Sequence, residues 1–281
     1  MIGLTRKRTK TAIVKSFRAE TSVSRLADLM KERRQKLIDS DELKFKFKSK
    51  WGVTKKQLSK ETHGKCAYCE TSYDAVAFGD VEHFRPKSVY WWLAYVYDNY
   101  LASCQICNQQ FKSNIFEVAG QKMKGPHITK STSDNKITQL AEKFAPDPLD
   151  STAISNYEAA HRAEKALIPN PYIDDPEKIF AWEVFVGAKE VHLVPNEDFV
   201  DSEIIVEASN RIYGLNRPQL LRRRFDQWRF YRLSVGFLED PDASEENRLL
   251  AEEFIKESLQ PESQYAGMIR FFEKRRLADN T

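Results

Sequence analysis

Two cysteine pairs limit what this chain can become more than any other feature. Cys66-x2-Cys69 and Cys104-x2-Cys107 are the only cysteines in 281 residues, and 34 residues separate the pairs. Two thiols spaced by two residues fit one knuckle, and two knuckles supply the four sulfurs that tetrahedral zinc prefers. Two disulfides are the alternative, disfavoured in a reducing compartment. A thioredoxin-like site needs only one such pair. The spacing therefore predicts one closed, structural Zn2+ held by Cys66, Cys69, Cys104 and Cys107, pinning together whatever lies between them.

Composition sets the background. The hydrophobic share of 41% and charged share of 30% suit an ordinary folded protein. The longest apolar run, "YWWLAYVY" at 90–97, is far too short to span a bilayer. The basic start, "MIGLTRKRTKTAIVKSF", lacks an apolar core followed by a cleavage site, so a cytoplasmic protein is expected. The net charge of +3 hides an asymmetry: residues 1–60 hold 18 Lys+Arg against 6 Asp+Glu. Such a basic arm suits a polyanion or a partner, and equally a solvated helical face.

The pattern suggests three regions: a basic helical part over 1–60, a zinc-stapled core over 61–120, and a mixed, largely helical part over 121–281. Residues 22–38 place Leu26, Leu29, Met30 and Leu37 at helical spacing, with Ser22 or Ser24 as cap. "KFKFKSKW" at 44–51 alternates lysine and phenylalanine, as a short strand with one basic face or as the wall of a nucleic-acid groove, the strand being the safer reading. A short helix over 54–64 ends at Gly64. The polar stretch 121–160 is expected to be a long excursion, and 179–194 a β-hairpin. Helices are expected over 215–235, with Pro218 in the first turn, and over 244–259, with Leu250, Phe254 and Ile255 on one side.

Chemistry concentrates between and just after the cysteine pairs. "GDVEHFRPKS" at 79–88 sets Glu82 beside His83, "DNYL" follows at 98–101, and "CQICNQQFK" puts Asn108 directly after a zinc cysteine. A Glu-His dipeptide alone is most often an ordinary pair. In this order, with both cysteine pairs, it resembles the HNH endonucleases. The resemblance implies a ββα-metal core within an α+β fold, the hairpin carrying the His and a following helix the last motif residue. It implies His83 as general base, Glu82 and Asn108 as ligands of a catalytic Mg2+ or Mn2+, and Asn99 as the residue that holds the hairpin loop. Asp80 is then an auxiliary acid or a turn residue, and Arg85, Lys87 and Lys112 are candidate phosphate grips or solvated charges.

"KCAYCE", "YWWLAY", "NPYIDDPEK" and "YGLNRPQLLRRR" extend the resemblance over most of 64–224, towards PtuB-type HNH proteins of Septu and retron anti-phage systems. That implies a nuclease effector acting with an ABC-type, PtuA-like ATPase, or in a retron RNA–DNA assembly. DNA is the favoured substrate, with tRNA as another. A catalytically silent, zinc-stapled subunit that binds nucleic acid or the ATPase is the alternative. The remaining histidines, His63, His127, His161 and His192, match no motif position and are expected to be structural or at the surface. "YWWLAYVY" is expected to pack the core, Asp174 and Asp175 to frame a turn, and "RRRF" at 222–225 to form a solvated or partner-facing helix side.

Overall fold

The structure, a computed structural model, describes residues 1–279. It is α+β, about half helical, with two small antiparallel sheets. The first half begins with α1 (Ala19–Ile38) and α2 (Lys55–Glu61). A hairpin follows, made of β1 (Asp80–His83) and β2 (Tyr100–Ser103), then a π-helix (Ile106–Lys112), α3 (Asp134–Phe144) and α4 (Ser151–Glu164). The second half holds α5 (Pro176–Ile179), the hairpin β3 (Phe180–Phe185) and β4 (Glu190–Pro195), then α6 (Ser202–Tyr213), α7 (Pro218–Glu239), α8 (Glu245–Ser258) and α9 (Ala266–Asp279). Buried apolar side chains from Ile13 to Ile269 belong to one core. No helix among the described residues is long and apolar enough to cross a membrane.

Several elements form as their sequences predict. α1 buries Leu26, Leu29 and Met30 along one face. It starts three residues before the expected caps, and neither Ser22 nor Ser24 caps it: Arg18 stands at the N-cap without a side-chain hydrogen bond. β3 and β4 pair from Phe180↔Pro195 to Phe185↔Glu190. Pro218 opens α7, and Ser244 caps α8 by accepting from the Asn247 amide. On α8, Ile255 is buried and Phe254 packs at the core's edge, but Leu250 lies exposed.

Three further expectations fail. Residues 121–160 are not one excursion but include α3 and most of α4, capped by Ser133 and Asp150. The polar pieces "STSD" and "PDPLDS" are cap chemistry, not loop interiors. Residues 44–50 form no strand; they are an irregular strap fixed by its aromatics. "RRRF" is not uniformly solvated: Arg222 and Arg223 are exposed, but Arg224 is buried with its guanidinium 4.7 Å from the Trp182 ring centroid.

The two halves lock together at the π-helix. Gly214 ends α6 at φ +62°, and a Cβ there would stand 2.5 Å from the Phe111 ring. Only glycine allows both that left-handed turn and that approach. Tyr213 stacks on Tyr68 of the first cysteine knuckle at 3.9 Å between centroids.

Candidate functional site: a braced hairpin and its polar seam

The Cys66–Cys69 knuckle folds back on itself through a Lys65↔Ser72 bridge and docks on β2, where the Ala67 amide donates to the Ala102 carbonyl at 3.0 Å. Cys104 and Cys107 follow β2 directly, Cys107 inside the π-helix. All four sulfurs lie within 4.8 Å of one another, and none forms a disulfide. Cys69 and Cys104 sulfurs are 3.9 Å apart, close to the ~3.8 Å edge of a tetrahedron with ~2.3 Å zinc–sulfur bonds. The group could therefore hold a metal such as zinc. Arg217, the N-cap of α7, brings Nη1 to 3.5 Å from the Cys107 sulfur, a positive charge suited to a thiolate-rich cluster.

β1 and β2 pair with Glu82 opposite Leu101 and His83 opposite Tyr100. Neighbouring strand residues alternate sides; here Glu82 meets Lys112 and His83 meets Trp51 and Tyr100, while the Lys87 and Lys112 charges act on both side chains. His83 Nε2 lies 3.1 Å from the Ala94 carbonyl, which also accepts from the Tyr100 hydroxyl at 2.7 Å. A carbonyl only accepts, so the ring proton sits on Nε2 and Nδ1 carries the lone pair. Trp51 and Tyr100 stand edge-on to the ring at 4.7 and 5.0 Å. Burial first, then the Lys87 charge, pushes the imidazole down to about 3, so the ring is neutral at neutral pH.

Glu82 faces the π-helix. Its carboxylate is buried, and burial raises it above the ordinary carboxylate range against the pull of Lys112. Lys112 Nζ sits 2.5 Å from Glu82 Oε1 and donates to the His83 carbonyl at 3.0 Å. The contact is a buried ion pair.

Two residues back on the same face, Asp80 Oδ2 accepts from Asn108 Nδ2 at 3.1 Å and from Gln109 Nε2 at 2.7 Å. The Asn108 amide is thereby oriented, its nitrogen on Asp80 and its oxygen left as acceptor. Asn99, fully buried, staples the β1–β2 connection. Its Oδ1 accepts from the Arg85 amide at 2.9 Å, while Nδ2 donates to the Arg85 and Leu93 carbonyls at 3.0 and 3.3 Å.

Two of the three candidate phosphate grips do not lie at the surface. Arg85 is fully buried, its Nε on Glu164 at 2.7 Å, Nη1 on the Tyr157 hydroxyl at 3.1 Å and Nη2 3.0 Å from His161 Nδ1. No donor face is left for a phosphate. Lys112 is likewise buried, committed to Glu82 and the His83 carbonyl. Lys87 remains partly open, its ammonium 5.2 Å from the Trp51 ring centroid.

Sequence reasoning singled out neither Glu164 nor Tyr157, which with His161 enclose Arg85 from α4, and it did not pair His161 with Asp174, 3.0 Å from its Nε2. It also missed Trp51 as a wall of the His83 site. Only the Phe/Lys alternation before Trp51 hinted that this segment lies against something.

These features define a class first: an α+β chain in which four cysteines able to hold a metal brace a short hairpin and a π-helix with a polar seam between them. Among known proteins, the chain is similar to Septu protein PtuB of Bacillus mycoides (strain KBAB4), 26% identical over 207 residues, covering 69% of this chain and 57% of that protein. The similarity supports a PtuB-like family. The chain thus spans little more than half the length of that relative. No family model and no solved structure matches.

Proposed function

We propose that the chain is a metal-dependent HNH-type endonuclease that hydrolyses phosphodiester bonds in nucleic acid. The observation that carries this is His83. Its Nε2–H is fixed on the Ala94 carbonyl, which presents a neutral imidazole with Nδ1 as the proton acceptor. Such a nitrogen can take the proton of an attacking water. Asn99 holds the loop that supplies the Ala94 side of this arrangement, and Asp80 orients Asn108.

Glu82 and Asn108 would hold a Mg2+ or Mn2+ ion, and the donor set fits: a carboxylate and an amide oxygen, with the Lys112 ammonium on Glu82 Oε1 having to give way. Such an ion, when bound, supplies charge stabilisation to the phosphate and its leaving oxygen. Lys87 at the rim is the remaining candidate for a flanking phosphate. Zinc in the four-cysteine cluster acts as a brace, with no free position for chemistry. By similarity to the Septu protein PtuB, the nuclease serves in anti-phage defence with a PtuA-like ABC-type ATPase; DNA is the favoured substrate and tRNA the second.

A second reading has its own observation. Lys112 already neutralises Glu82, and the burial that lowers His83 also weakens it as a base. Both suit a silent binding subunit, or a site held closed until its partner acts.

Wild type, His83→Ala and Cys104→Ala are incubated with DNA and total tRNA in Mg2+ or Mn2+, with and without the neighbouring ATPase. Wild type should cut at least one substrate and stop with chelator. His83→Ala should lose cleavage but keep its fold and bound zinc, whereas Cys104→Ala should lose both zinc and fold. No cleavage by a folded, zinc-loaded wild type under any of these conditions favours the binding subunit.

A further inference from the structure

Residues 44–50 run across the molecule as a strap whose two faces differ completely. Phe45 and Phe47 turn inward: Phe45 stacks on Trp91 at 5.1 Å, and Phe47 meets Tyr95 edge-on at 6.3 Å. The Tyr95 hydroxyl pins the backbone, accepting from the Lys48 amide at 3.1 Å and donating to the Lys48 carbonyl at 3.0 Å. Lys44, Lys46, Lys48 and Lys50 are all exposed, and the only other outward side chain is Ser49. Of the four lysines only Lys44 is ion-paired among the described residues, to Glu42. The strap ends at Trp51, whose ring stands 4.7 Å from that of His83 and carries Lys87 on its face.

We propose that this lysine strap is a phosphate track that lays a nucleic-acid strand across the protein and into the His83 site. The proposal rests on the nuclease reading for its direction, though not for binding itself. Fixing the phenylalanines orders the lysines before anything binds, so less freedom is lost on binding than with a free tail. A nucleic-acid backbone fits better than a protein partner. Protein interfaces are depleted in lysine and built around apolar or aromatic anchors, and here the aromatics face the core. Continuity with Trp51 and Lys87 places the far end of the track beside the site.

The test is done in the His83→Ala background, so that binding is read without cleavage. Lys46→Gln/Lys48→Gln/Lys50→Gln is compared with Lys122→Gln/Lys130→Gln/Lys136→Gln, which removes the same charge from exposed lysines elsewhere. The probes are a fluorescein-labelled mixed-sequence DNA single strand, the same sequence as duplex, and labelled total tRNA. Anisotropy is followed from about 50 to 200 mM salt. The strap variant should lose about 10-fold or more in affinity for at least one probe. Its salt slope on the single strand should fall by about 2, near 0.7 for each lost phosphate contact. The control variant should change far less.

Equal behaviour of the two variants on every probe overturns the proposal. So does a strap variant that keeps nucleic-acid binding but no longer co-purifies with the ATPase, which would make the strap a partner contact. A strap effect on binding alongside a wild type that never cuts would sink the nuclease reading and leave the track standing.

Discussion

Two buried ion pairs flank His83, and they are built to different standards. Arg85–Glu164 is complete. The guanidinium fork is filled by Glu164, Tyr157 and His161, and the other Glu164 oxygen accepts from the Tyr90 hydroxyl and the Met123 amide. Burial lowers Arg85 first, but Tyr157 and Glu164 outweigh it and hold it above its ordinary value. Lys112–Glu82 is incomplete. Lys112 is the carboxylate's one ion-pair partner among the described residues, and burial wins over it in raising the carboxyl. A saturated pair makes a rigid wall. A sparser pair beside a neutral imidazole, its carboxyl still raised by burial, is the easier one to open.

The sharpest way to break this contrast is to truncate each acid. Glu164→Gln leaves Arg85 buried without its charge partner and should cost about 3–5 kcal/mol, read by urea unfolding. The predicted loss for Glu82→Gln is much smaller, about 1 kcal/mol or less, because that carboxylate is itself strained by burial. Equal losses would mean the two pairs do the same work.

Activity should rank the two positions the other way. Glu82→Gln is expected to lower metal-dependent cleavage by about 100-fold or more while the protein stays folded at assay temperature. A Glu164→Gln protein assayed below its melting point should retain most of its rate.

The smallest effect is in pH. The Glu82 carboxyl lies above its ordinary 4.5 in the folded chain. The native state therefore binds more protons than the unfolded one as pH rises from about 4.5, and the Glu82 contribution to stability falls through that window. Without added Mg2+, Glu82→Gln should gain on wild type from pH 4.5 upward until the folded-state carboxyl has ionised. A difference that shrinks with rising pH would contradict the burial argument.

What the sequence discloses follows the same division. The cysteine pairs, the Glu82–His83 step on a strand, Asn108 beside Cys107 and the 179–194 hairpin are local signals, set by spacing, alternation or turn chemistry. The Arg85 wall is not local. α4 turns Tyr157, His161 and Glu164 inward, so its core face is polar and escapes any search for apolar periodicity. The lysine at 112 and the arginine at 85 read as surface charges because their partners lie 30 and 79 residues away. Charge asymmetry over 1–60 is visible as a sum, but only the placement of Phe45, Phe47 and Trp51 shows which lysines form an ordered row.

The π-helix carries a counting constraint. Its wide turn, closed by the Ser113 amide on the Asn108 carbonyl at 2.7 Å, sets Asn108 against Asp80 and Lys112 against Glu82 along one strand. Winding the same residues as ordinary α-helix, with turns closed over four residues at about 100° each, would carry everything after Asn108 further round the axis. Phe111 would leave Gly214 and Lys112 would leave Glu82, while Cys107 and Asn108 stayed put. The wide turn therefore keeps the brace and the seam in phase, because the same residues wound as α-helix would leave the brace intact and take the seam apart.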